Sequence, residues 1–196
     1  LFSGRWIEGV KRAFDVVGAA FGLLIAVIPI AILVLMIRRG SEGPGIFSQQ
    51  RVGRDGRLFH CHKLRTMRAG TPHVPTHEAA AAQITPLGAI LRRTKLDELP
   101  QLWNVLTGEM SFVGPRPCLP SQTVLIEERR KRGVLSLRPG ITGLAQIRGI
   151  DMSDPLRLAE TDAEYLHARN FGLDLAILFR TFFSVLGAGQ DRLSSR

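Results

Sequence analysis

The sequence predicts an α/β chain, mainly helical with one small β-hairpin, joined to a membrane through its N-terminal segment. Three observations lead there. Residues 16–37 contain no charged side chain, a run close to the roughly 20 residues a helix needs to cross a bilayer. Residues 46–53 and 58–67 read as two strands around an Asp55-Gly56 turn signal. Leu99, Leu102, Trp103 and Leu106 recur at helical spacing, and residues 85–93 and 156–170 read as two further helices.

A chain of 196 residues can bury one substantial core. Its formal net charge of +9 implies an anionic partner: nucleic acid, a phospholipid surface or a phosphorylated substrate. Cys61 and Cys118 make neither a disulfide framework nor a metal-site pattern, and they fit a reducing compartment. The first residue is Leu1 rather than Met, as in a piece of a longer protein.

The apolar run is too long for a signal peptide and no small-residue cleavage site follows it. Pro29, near its middle, would kink or break a helix. Arg5, Lys11 and Arg12 precede the run and Arg38 and Arg39 follow it, so the positive-inside rule sets no direction. A helix that breaks at Pro29, enters one leaflet and returns would keep both basic ends in the cytosol. A plain transmembrane helix kinked at Pro29 accounts for the composition equally well.

On the hairpin, Arg51, Lys63 and Arg65 either meet phosphates or form a solvated basic strand face. His60 and His62 share a strand face and His73 and His77 stand four apart, but neither pair has further metal ligands nearby. Residues 69–83 read as a polar loop beside the site. Thr85 and Pro86 form a helix start that carries Arg92 and Arg93 toward Asp97.

The chain centres on residues 94–117. Asp97 and Glu98 stand just before the helical pattern, where the dipole favours negative charge. Pro100 fits a first turn and Gly108 a helix stop. Arg116 lies between Pro115 and Pro117 on a stiff, non-helical segment. An ionised carboxylate, a second carboxylate for a metal and a rigid arginine suit phosphoryl transfer, although an Asp-Glu pair at a helix start is more often a solvated cap. Further on, residues 129–132 are a basic run fit for a solvated helix end or for anionic headgroups. Residues 171–186 form an apolar segment interrupted by Asp174 and Arg180, suited to the membrane interface or to packing on the core.

Residues 97–105 (DELPQLWNV) together with 111–117 (SFVGPRP) resemble the signature of the bacterial sugar transferases, the monotopic phosphoglycosyl transferases. Phe47, Gln49, Arg51, Gly53, Lys63, Arg65, Thr66, Met67 and residues 138–146 (RPGITGLAQ) extend the resemblance. It favours the re-entrant form, with residues 1–39 as anchor and 40–196 as a cytosolic catalytic domain at the bacterial inner (cytoplasmic) membrane. Ile28 stands where the family has Ser before the proline, and Arg148-Gly149-Ile150 stands where it has Asn-Gly-Arg. The implied reaction moves a sugar 1-phosphate from a UDP-sugar to polyprenyl phosphate. Asp97 would be the nucleophile, and Glu98, with Asp97, would hold Mg²⁺. Arg92 and Arg116 would hold phosphate oxygens, with Lys63, Arg51, Gln146, Arg148 and Asp162 also at the substrate. A homo-oligomer is compatible with the sequence. The other classes are a non-catalytic anchored protein that binds anionic lipid, a nucleotide-sugar hydrolase and a nucleic-acid binder. The last is disfavoured by the apolar segment and the absence of a base-reading motif.

Overall fold

The computed structural model describes residues 2–68, 70 and 83–190. His73, His77 and most of the expected 69–83 loop lie outside the described residues. Among the described residues the protein is mostly helical, with two small two-stranded sheets and one long apolar helix near the N-terminus.

Helix α1, Phe2–Gly40, runs through Pro29 without interruption. The expected break is not seen as a gap in the helix. Packing supplies a reason: Asp15, Ala19, Ala26 and Ile37 are buried, and Gly22, Ile30 and Leu33 are half-buried. These positions follow the helical period along one face, so contact with the rest of the chain continues across the proline. On other faces Val17, Phe21, Leu24, Ile25, Ile28, Ile32 and Leu35 are each more than half exposed. A helix this long and apolar can enter or cross a bilayer, and its exposed apolar surface is what membrane association requires.

Both ends of α1 are tied to the same body. Near the start, Lys11 Nζ pairs with Asp174 Oδ2 at 2.5 Å, and Asp15 accepts from Ser111 Oγ and the Phe112 amide, both at 3.1 Å. Toward the end, Ile37 clusters with Leu64 and Leu91. Arg65 donates to the carbonyls of Glu42 and Ser41 at 2.5 and 2.9 Å. Arg65 thus pins the loop after α1 rather than facing a phosphate.

The hairpin pairs β1 (Ile46–Val52) with β2 (Leu58–Leu64), antiparallel, with Ile46 opposite Leu64 and Val52 opposite Leu58. Asp55 and Gly56 have positive φ, 56° and 76°, as their turn needs. Helix α2 (Pro86–Arg93) starts as expected: Thr85 caps the Gly88 amide at 3.0 Å. A 3₁₀ turn, Leu96–Glu98, leads to α3 (Gln101–Thr107), which stops at Gly108 with φ 90°. Trp103 departs from its expected place on the apolar face. It is 53 % exposed, while Leu102 and Val105 take the core.

A second sheet had no sequence signal. Strand β3 (Ser111–Val113) pairs in parallel with β4 (Gly140–Thr142), and runs of three residues are too short to alternate. Here Gly140 and Gly143 serve backbone packing. A Cβ on Gly140 would stand 2.1 Å from the Gly114 nitrogen, and one on Gly143 2.2 Å from the Gly114 oxygen. The remaining helices are α4 (Thr123–Lys131), α5 (Leu144–Ile147), α6 (Pro155–Ala168) and α7 (Phe171–Gln190). On α7, Asp174 is buried against Lys11 and Tyr165, whose hydroxyl donates to it at 2.6 Å. Phe179, Phe182 and Phe183 are exposed, so an apolar face of α7 also points outward.

Candidate functional site

The site is built around the 3₁₀ turn. Lys95 precedes it in the left-handed conformation (φ 59°), and Asp97 and Glu98 are each 8 % exposed. The carboxylates are adjacent in sequence but differently surrounded. Glu98 Oε1 accepts from Lys63 Nζ at 3.1 Å and from Arg116 Nη2 at 3.4 Å. Burial works to raise its pKa, but Lys63, Arg116 and Lys95 more than reverse that and hold it at about 2. Asp97 makes no hydrogen bond or ion pair among the described residues. Burial and the Glu98 charge raise its pKa, against the opposing pull of Lys63, Arg92 and Lys95. The turn therefore holds one firmly ionised, doubly paired carboxylate beside one unpaired carboxylate of higher basicity.

Each partner is positioned from another element. Lys63 comes from β2, and Asn104 of α3 staples that strand. Asn104 Oδ1 accepts from the His62 amide at 3.1 Å, and its Nδ2 donates to the His60 carbonyl at 2.8 Å and to Glu109 at 2.7 Å. Arg116 leaves the end of β3. Arg92, near the end of α2, donates from Nε to Thr66 Oγ1 at 2.9 Å, and its charge acts on Asp97. Arg51 on β1 donates to the Pro117 carbonyl at 3.2 Å and to Gln49 at 2.7 Å. The C-terminus of α3 is closed by Arg12 of α1, which donates to the Val105 and Leu106 carbonyls at 2.6 and 2.9 Å.

A cleft of about 400 Å³ opens beside the pair. It is lined by the cations Arg51, Lys63, Lys95 and Arg116, with Gln101, Gln146 and residues 149–152 among its other walls. Four cations in one cleft suit a multiply charged phosphate. Cys61 is in the wall, but burial pushes its thiol up, and that of Cys118 too, which disfavours the reactive thiolate.

The structure brings together Asp97, Glu98, Lys63, Arg51, Arg92, Arg116 and Gln146. It does not bring Arg148 and Asp162 to the cleft. Arg148 pairs with Glu164 on the surface. Asp162 is buried and accepts from Arg129 Nε and Nη2 at 2.9 and 2.7 Å. Arg129 Nη1 in turn donates to the Arg116 carbonyl at 2.9 Å, so Asp162 supports the site from behind. Arg129 accordingly leaves the expected basic run, whose other members pair with Glu127 and Glu128 along α4. Sequence reasoning missed Lys95, Gln101 and Asn104. The nearness of Lys95 to the acidic pair, and the place of Gln101 and Asn104 within the 97–105 signature, were the signals that could have marked them.

Comparison with known proteins places the chain in a family. The bacterial sugar transferase family matches residues 6–188. The galactosyl transferase CpsE of Streptococcus agalactiae is 38% identical over 90% of this chain and 42% of its own length. The undecaprenyl-phosphate glucose phosphotransferase of Komagataeibacter xylinus is 39% identical over 90% of this chain and 36% of its own. The exopolysaccharide production protein ExoY of Sinorhizobium fredii is 37% identical over 92% of this chain and 88% of its own. The chain thus spans about two fifths of the first two and most of the third.

Proposed function

The chain belongs to the bacterial sugar transferase family, and on that premise we propose that it moves a sugar 1-phosphate from a UDP-sugar to a membrane polyprenyl (undecaprenyl) phosphate, releasing UMP. The observation that carries this reading is the contrast within the turn: a buried Asp97 with no partner among the described residues, beside a Glu98 fixed by Lys63 and Arg116, which also line the cation-rich cleft. Two neighbouring carboxylates held in different states are suited to different roles.

An Asp97 carboxylate oxygen attacks the sugar-linked phosphorus. The bond from that phosphorus to the bridging oxygen breaks, and UMP leaves with the electron pair. A polyprenyl phosphate oxygen then attacks the same phosphorus, and the aspartyl bond breaks to restore the carboxylate. Dividing one displacement into two is the logic of covalent catalysis. Arg116, Lys63, Arg51 and Lys95 hold phosphate oxygens as charge moves to the leaving group.

Mg²⁺ fits these donors. The described residues hold no cluster of three or more metal-ligating side chains, but this ion commonly takes only one or two carboxylates and completes its shell with phosphate and water. Asp97 and Glu98 would hold it. When bound it supplies neutralisation of the diphosphate charge.

Re-entry of α1 from the cytosolic side of the cytoplasmic membrane is part of the proposal. Lys11 at one end and Ile37 at the other contact the same body, whereas a helix spanning about 30 Å of hydrocarbon would carry its ends to opposite sides.

Purified protein incubated with Mg²⁺ and a panel of UDP-sugars, without acceptor, should gain the mass of one sugar phosphate, and Asp97→Asn should not. UMP release that requires acceptor, with no adduct from any sugar, would replace the two-step reading with direct transfer.

A further inference from the structure

Gln101 is 2 % exposed, lies in the cleft wall, and has a side-chain Nε2 that is buried with no acceptor among the described residues. An orphaned amide costs free energy in a folded protein unless a ligand or water completes it. Its placement relative to Asp97 is set by the backbone. Leu99 and Pro100 have right-handed helical φ/ψ and join the 3₁₀ turn to α3, so Gln101 follows Asp97 by about one helical turn. Residues four apart on such a backbone lie on the same side. The next residue on that side, Asn104, is fully committed to the hairpin and to Glu109; Gln101 has no such commitment.

We propose that Gln101 donates a hydrogen bond to a non-bridging oxygen of the phosphoryl group that Asp97 attacks. This inference rests on the proposed transfer reaction. Of the cations around the cleft, Lys63 and Lys95 supply charge but no fixed direction, because lysine is a point charge on a flexible stem. A carboxamide carried on the same backbone turn as the nucleophile supplies direction. It is neutral, so it does not compete with Glu98 for Lys63 and Arg116. Nε2 is itself buried, so it reaches a phosphoryl oxygen by a turn of the side-chain amide toward the cleft that the residue lines. A donor that meets oxygen as charge develops acts on the rate of the displacement more than on binding of the UDP-sugar.

Gln101→Met and Gln101→Glu test this, the first removing both polar ends and the second keeping the shape while exchanging the donor for a negative charge. The readouts are the rate of phosphosugar adduct formation by intact mass, KM for the UDP-sugar, and the thermal midpoint. Both variants should form adduct about 100–1000-fold more slowly, and Gln101→Met should keep KM within about threefold of wild type. Gln101→Met should melt no lower than wild type, because it removes an unsatisfied buried amide. A packing residue with no substrate contact would give the opposite pattern: a lowered midpoint and an unchanged rate in the folded fraction. Wild-type rates in Gln101→Glu would overturn the inference, also in the case that Gln101→Met does not fold. Failure of wild-type protein to form any adduct would overturn the transfer reading itself, which is a separate outcome.

Discussion

Asp162→Ala separates two roles that the sequence could not. As a substrate ligand, Asp162 would affect KM and leave folding intact. The structure instead buries it against Arg129, with side chains 4 % and 3 % exposed and 2.7 Å between Oδ2 and Nη2. Removing one partner of such a pair leaves an uncompensated buried charge and costs about 3–5 kcal/mol. For a chain of this length each kcal/mol lowers the thermal midpoint by about 2–4 °C, so Asp162→Ala should melt roughly 10 °C lower. Arg129→Met should do the same, because it strands the carboxylate. The double variant should be less destabilised than the sum of the two, because the stranded charge is gone in both. Arg129 Nη1 also holds the Arg116 carbonyl, so the folded fraction of either single variant should lose transfer rate as the arginine segment loosens. The assay is thermal melting of the detergent-solubilised protein, paired with adduct formation well below the midpoint. Strict additivity in the cycle, or a midpoint within 2 °C of wild type with raised KM, would refute the reasoning.

Four further outcomes are expected. Asp97 has a raised folded pKa, so its ionised form costs stability at neutral pH, and stability from this group falls as pH rises through that value; Asp97→Asn should melt no lower than wild type at pH 7 while forming no adduct. For the same reason, the acid limb of adduct formation in a pH–rate profile should lie above pH 3.8, the ordinary aspartate value. Glu98 is depressed from 4.5 to about 2; its stabilising contribution is present above about pH 4.5 and lost as pH falls toward 2, and Lys63→Met should flatten that part of a melting-versus-pH curve. Asn104→Ala leaves the His62 amide and the His60 carbonyl without their partner and should cost about 2–4 kcal/mol by denaturant unfolding.

Local chemistry made much of the fold legible. The Asp55-Gly56 turn, the Thr85-Pro86 helix start and the Gly108 stop each depend on one or two residues whose backbone preferences act wherever they stand. The acidic pair and Arg116 stood out for a different reason: the stretch around them resembles a family signature, and the fold brings Arg116 to Glu98 at 3.4 Å. What stayed hidden depends on distant partners. Trp103 has the right spacing for a core face, yet α3 is mounted so that Leu102 and Val105 meet the core instead. Arg65 looks like a phosphate ligand until Ser41 and Glu42 arrive from the end of α1. Strands β3 and β4 exist through each other, and Gly114, Gly140 and Gly143 are required only once their backbones touch. Pro29 predicts a break from local rules, while a stripe of buried and half-buried residues on α1 continues past it and the helix runs through.

The mounting of the site on α1 links reaction and membrane. Arg12 closes the end of α3, a Cβ on Gly22 would meet Leu102 at 3.2 Å, and one on Gly18 would meet the Phe112 ring at 2.8 Å. The first residue of α3 is Gln101, and the turn that bears Asp97 leads directly into it. The Asp97 carboxylate is therefore fixed to the apolar helix through one short element rather than through a flexible linker. In the proposed reaction the acceptor phosphate is confined to the bilayer surface by its lipid, so it cannot diffuse up to a site held at a variable height. A well-oriented encounter needs reacting atoms within about 3–3.5 Å, and two independent anchors would make that rare. Filling the gap at Gly22 with Gly22→Leu should push α3 from α1 and slow transfer from the preformed adduct to polyprenyl phosphate. It should leave adduct formation from the soluble UDP-sugar closer to wild type. Single-turnover measurement of the two half-reactions tests this, and equal slowing of both would show that α1 serves only to hold the fold.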